Sequence, residues 1–155
     1  LVKKFSKVCL GGTFDQIHLG HNSLLKKAFW ISDEVVIGLT TDLKANETRS
    51  TGQLRMYDER YNLLEKYISD NFKGKYSIVE LNDKWGPGIF DKDLEGIIVS
   101  EETEAVAFEL NKNRKYKNLK ELEIITIPLI LGEDGKKISS TRIRNGEIDI
   151  EGHQA

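Results

Sequence analysis

The chain has 155 residues, enough for one domain that buries about 68–70% of its unfolded surface and needs no disulfide or metal staple. Its charged residues make up 31% and nearly cancel to a net charge of −2, the balance of an ordinary soluble surface rather than the basic excess of a nucleic-acid-binding domain. A single cysteine, Cys9, excludes an internal disulfide and the usual zinc ligand sets, no run approaches the ~18 apolar residues of a membrane span, and nothing at the start reads as a signal peptide, so the expected location is the cytoplasm.

Residues 7–10 read as a short apolar strand with Cys9 as a small core residue. Residues 11–21 follow as Gly-Gly-Thr-Phe-Asp-Gln-Ile-His-Leu-Gly-His and lead into a helical pattern that starts near Leu19 and continues through Leu24, Leu25, Ala28 and Phe29. Residues 34–39 read as a second, buried strand, and residues 40–53 as an aperiodic polar loop containing Gly52. Tyr57, Tyr61, Leu64 and Ile68 mark an amphipathic helix that packs on the core. Residues 75–81 form the third strand, and Trp85-Gly86-Pro87-Gly88 punctuates the loop after it. Residues 96–99 are the fourth strand, followed by a helix carrying Ala105, Phe108 and Leu110, with Ser100 as its expected N-cap. The β-branched run 122–130 is the fifth strand; a loop at 132–137 leads to Ile138-Ser139-Ser140-Thr141-Arg142-Ile143-Arg144, read as a short helix opened by serine, and residues 147–155 read as a polar tail with His153 in it.

Strands alternating with helices predict an α/β fold, a Rossmann-like doubly wound parallel sheet of order 3-2-1-4-5 with helices on both faces. Ligands of such sheets lie beyond the carboxyl ends of the strands where the winding reverses, here between strands one and four. The segment after strand one falls at that crevice. Its glycine pair lets backbone N–H groups approach a phosphate closely. His18 and His21 lie three residues apart on one face of a helical turn, and Gly20 leaves room between them. That chemistry is the handling of a nucleoside triphosphate.

Gly-Gly-Thr-Phe-Asp-x-x-His-x-Gly-His near the start and Ile-Ser-Ser-Thr-Arg-Ile-Arg near the end resemble the two signatures of the nucleotidyltransferase superfamily. Trp85-Gly86-Pro87 and Asp93-Leu94-Glu95-Gly96-Ile97-Ile98-Val99-Ser100-Glu101-Glu102-Thr103 narrow the likeness to the archaeal and eukaryotic phosphopantetheine adenylyltransferase family. The resemblance covers residues 8–146. It implies transfer of the adenylyl group of ATP to 4′-phosphopantetheine, giving dephospho-coenzyme A and pyrophosphate, with Mg²⁺ accompanying ATP and no side chain assigned to the metal. By motif position it implies that His18 and His21 contact the ATP phosphates, with Gly12 and Phe14 giving backbone contacts to the nucleotide. Thr13 would bond the attacking phosphate, and Lys44 would be the substrate-phosphate lysine. Ser139, Ser140 and Thr141 would present hydroxyls and amides to the β- and γ-phosphates, with Arg142 as their guanidinium partner. The nucleophile is a phosphate monoester whose second pKa is about 6, so it needs no general base.

Where the bacterial form carries an arginine-rich turn after strand four, this chain has Ser100-Glu101-Glu102-Thr103, which repels a phosphate. Either Arg142, Arg144 and the Lys136-Lys137 loop compensate, or that turn contacts adenine or pantetheine through neutral atoms; Arg49, Arg55 and Lys136, taken singly, are expected to be solvated. The rival reading is another small-molecule nucleotidyltransferase, a cytidylyltransferase acting on a polyol phosphate or an FAD-forming adenylyltransferase. A non-catalytic nucleotide-binding module and a tRNA-synthetase fragment are further alternatives. The expected assembly is a monomer or small homo-oligomer.

Overall fold

The computed structural model describes residues 3–47, 54–83, 85–89 and 91–155; the basic loop residue Arg49 and the loop glycine Gly52 fall outside these. Five parallel strands lie in the order 3-2-1-4-5: β1 (Phe5–Gly12), β2 (Ser32–Thr40), β3 (Lys75–Leu81), β4 (Gly96–Ser100) and β5 (Glu123–Ile127). The helices are α1 (Leu19–Ile31), α2 (Asp42–Glu47), α3 (Tyr57–Asn71), α4 (Glu104–Tyr116) and α5 (Ser140–Arg144). A sheet buried on both faces reads as continuous apolar runs, as Val35 to Leu39 does in β2. Val8, Leu10, Val35, Ile37 and Leu39 pack against Leu25, Ala28 and Phe29 of α1 and Leu64 and Ile68 of α3. On the opposite face Cys9 and Val36 meet Leu110 of α4, Leu94 and Leu122. Cys9 is the core residue expected of it, and burial pushes its thiol up to about 12.

Four expectations are corrected. The stretch 40–53 is not all loop, because Asp42–Glu47 forms α2; the Thr41 hydroxyl accepts from the Lys44 amide at its start. A six-residue helix is too short to show a 3.6-residue period. Ser100 closes β4 against Ile127 instead of capping α4, and the helix opens after Thr103, whose amide donates to the Ser100 carbonyl. The fifth strand stops at Ile127 because Pro128 has no N–H for the ladder.

Residues 147–155 are not a loose tail. Ile148 is buried and bridges antiparallel to Gln154, and the Asp149 carboxylate accepts from the Glu151 and His153 amides. The Ile150 carbonyl accepts from the Leu19 amide, one of the N–H groups that a helix start leaves without an internal partner.

Candidate active site

The carboxyl end of β1 runs into a tight turn before α1. Phe14 takes the left-handed backbone (φ 51°), and its ring is buried beneath the turn, where a Cβ on Gly12 would meet it at 3.1 Å. Phe14 therefore shapes the turn from below. The start of α1 is held by the histidines themselves. His18 Nδ1 accepts from the Gly20 amide at 3.0 Å, and His21 Nδ1 accepts from the His18 amide at 3.3 Å, a reciprocal cap. The two rings stack at 3.9 Å, and Phe14 backs His21 at 4.8 Å. A side chain at Gly20 would strike the His18 ring at 2.8 Å, so the room expected between the histidines is room for His18 itself. Burial lowers the pKa of His18 to about 4 and that of His21 to about 3, with the neighbouring His18 adding to the shift of His21. Both rings are neutral hydrogen-bond donors at pH 7.

They open into a cleft of about 240 Å³. Leu24, Ile127, Leu129 and Ile138 give it an apolar wall, and Ser139 and Ser140 form its far side. The two motifs are bonded to each other. Ser140 Oγ donates to the Gln16 carbonyl at 3.1 Å and accepts from the Gln16 amide at 3.3 Å. Asp15, 2% exposed, pairs with Arg144 and accepts from the Arg55 amide. The acidic turn after β4 is engaged by protein groups: Glu101 accepts from the Leu129 amide, and Glu102, on the cleft wall, pairs with Lys137 at 2.6 Å.

Other predicted site residues lie apart from this cleft. Thr141 sits on the outer side of α5, where its hydroxyl accepts from Arg144. Arg142 turns away, pairing with Asp134 and donating to the Lys137 carbonyl at 2.6 Å, so it braces the loop before α5. The Ser139 hydroxyl accepts from the Arg142 amide as N-cap of α5. Gly12 and Thr13 stand at the end of β1, and Lys44 in α2 follows β2. The two histidines and the two serines thus line the β4–β5 side of the crevice, while Thr13 ends β1 and Lys44 follows β2.

Arg60 was not anticipated. It is fully buried and donates to the carbonyls of Thr13 (2.9 Å) and Arg55 (2.8 Å) while pairing with Asp42 at 3.0 Å. The signal was its position, an arginine among Tyr57, Tyr61 and Leu64 on the inward face of α3. Arg55, expected to be solvated, is tied to Asp15 by its backbone amide and its guanidinium.

The sequence profile of the cytidylyltransferase-like family matches residues 9–146. The phosphopantetheine adenylyltransferase of Methanothermobacter thermautotrophicus is 43% identical over 151 residues, 97% of this chain and 90% of that protein. That of Pyrococcus horikoshii is 44% identical over 149 residues, 96% of this chain and 94% of the relative. The chain belongs to the phosphopantetheine adenylyltransferase family. Among solved structures, a protein of unknown function from Archaeoglobus fulgidus is similar, with a TM-score of 0.69 at 27% identity over 78% of this chain and 88% of that one.

Within the family the expected companion of ATP is Mg²⁺, and the lining residues do not form a cage for it. Glu102 is the one carboxylate on the cleft wall, and Lys137 engages it. Among the described residues, no group of three or more His, Cys, Asp or Glu side chains converges to hold a metal ion.

Proposed function

We propose that the chain transfers the adenylyl group of ATP to 4′-phosphopantetheine, forming dephospho-coenzyme A and releasing pyrophosphate. The observation that carries this reading is the pair of stacked, neutral histidines facing a cleft that the Gln16–Ser140 bonds close against the second motif. ATP would occupy the β4–β5 half with its base against the apolar wall and its phosphates toward His18 and His21. The phosphate of 4′-phosphopantetheine would approach from the β1–β2 half, with Thr13 and Lys44 as its partners.

The attacking phosphate oxygen bonds to the α-phosphorus as the bond to the bridging α–β oxygen breaks, and pyrophosphate leaves with that electron pair. The nucleophile is already mostly dianionic at neutral pH, so the reaction needs no general base. The difficulty is one anion meeting another. Fixed donors where charge crowds in the transition state, in a site that also aligns both reactants, supply the acceleration. Among the described residues no helix is long and apolar enough to cross a membrane, in keeping with our placing the reaction in the cytoplasm.

The test is pyrophosphate release with Mg²⁺ and each nucleoside triphosphate against a panel of phosphate esters. Release with ATP and 4′-phosphopantetheine is expected. Release with CTP and a polyol phosphate instead would overturn the assignment in favour of a cytidylyltransferase.

A further inference from the structure

Thr40 ends β2 beside Thr13, and its hydroxyl does not merely fill space. It is 9% exposed, and Oγ1 donates to Thr13 Oγ1 at 3.1 Å. Behind it lies the buried Arg60, whose Nη1 reaches Thr40 Oγ1 at 3.5 Å and the Thr13 carbonyl at 2.9 Å. A guanidinium donates only. Thr40 therefore accepts from Arg60 and has its own hydrogen left for Thr13. Thr13 in turn accepts the Thr40 hydrogen, which turns its own hydrogen away from Thr40 and leaves it to point outward. A lone threonine hydroxyl is ambivalent, donor or acceptor by rotation; at the end of this relay its rotation is biased toward donating.

The effect is orientation and not added charge. Arg60 is matched by Asp42 at 3.0 Å, so the pair delivers little net field to the crevice. A threonine used only to fill the end of a buried strand would be served as well by valine, which carries no polar atom to satisfy.

We propose that Arg60 and Thr40 form a hydrogen-bond relay that sets the Thr13 hydroxyl as a donor to the phosphate of the acceptor substrate, making Thr40 a positioning residue for that substrate and not for ATP. This rests on the reading above that Thr13 meets the acceptor phosphate. The relay accounts for three features together: a polar residue at the buried end of β2, an arginine on the inward face of α3, and a directed hydroxyl pair joining β1 to β2.

The test is steady-state kinetics of Thr40→Val and Thr40→Ser beside the parent protein, with thermal melts. Losing one of several bonds to a charged group gives a change of about tenfold. Thr40→Val is expected to raise KM for 4′-phosphopantetheine about tenfold, with KM for ATP within about twofold and melting little altered. Thr40→Ser, which keeps the hydroxyl, should restore KM. In a Thr13→Val background the Thr40→Val change should add nothing further. An unchanged acceptor KM in Thr40→Val, equal rises for both substrates, or failure of Thr40→Ser to restore it would each overturn the relay. A parent protein inactive with 4′-phosphopantetheine would overturn the functional reading alone. The same variants would then be judged on KM for whichever phosphate ester of the panel turns over.

Discussion

Neither histidine chooses its tautomer freely. A neutral imidazole that accepts at Nδ1 carries its hydrogen at Nε2, and both Nδ1 atoms accept backbone amides here. Nitrogen-detected NMR is expected to find both rings in the Nε2–H form, with no titration between pH 8 and about 5, because burial holds their pKa values near about 4 and about 3. The same shifts give stability a pH dependence of known sign. As pH falls below about 6.5 the unfolded chain takes up protons that the folded histidines refuse. Their contribution is complete above that pH and is lost progressively toward about pH 3 to 4. Denaturant midpoints at pH 7 and pH 5 should show the drop, and His21→Ala should remove part of it. The same variant should lose ~10²–10³ in turnover with its circular dichroism unchanged, the usual consequence of deleting one preorganised donor. Near-normal turnover would exclude His21 from the site.

At the scale of elements, α1 is a helix whose capping and chemistry are one device. Gly20→Ala isolates the two. Alanine favours a helix over glycine by about 1 kcal/mol, yet here its Cβ would strike the His18 ring at 2.8 Å. Melting temperature is expected to change little, the gain in helix propensity offsetting the disturbed cap, while turnover falls at least about tenfold. The strands and the order 3-2-1-4-5 were legible because β-branched runs and helical periods are long enough to declare themselves. The α2 helix, the true start of α4 and the fold of residues 147–155 were not, since each rests on single hydrogen bonds such as that from the Leu19 amide to the Ile150 carbonyl. The motif residues were readable as types, but their orientations were not. Nothing in Ser-Ser-Thr-Arg tells that Arg142 turns to Asp134, or that Ser140 spends its hydroxyl on Gln16.

Across the whole molecule, the proposed reaction would divide the crevice at the point where the winding reverses, with ATP toward β5 and the acceptor phosphate toward β2. The two motifs are locked to each other by the Asp15–Arg144 pair as well as by Gln16 and Ser140. Breaking such a pair from one side leaves an uncompensated charge, so Arg144→Met is expected to cost roughly 3 kcal/mol in chemical denaturation. Adding Asp15→Asn should cost less than the sum of the two single changes, and strict additivity would show that the two residues do not act as a pair.

The Gln16–Ser140 tie spans 124 positions of chain. Contacts that distant are entropically the costliest to close and tend to form late in folding. The crevice is accordingly a checkpoint on its own synthesis. A chain still emerging, with β1 and α1 already in place, carries both histidines and yet has no opposing wall for a nucleotide. In refolding, helical signal should recover ahead of adenylyl transfer, and catalysis should report that the last turn has docked.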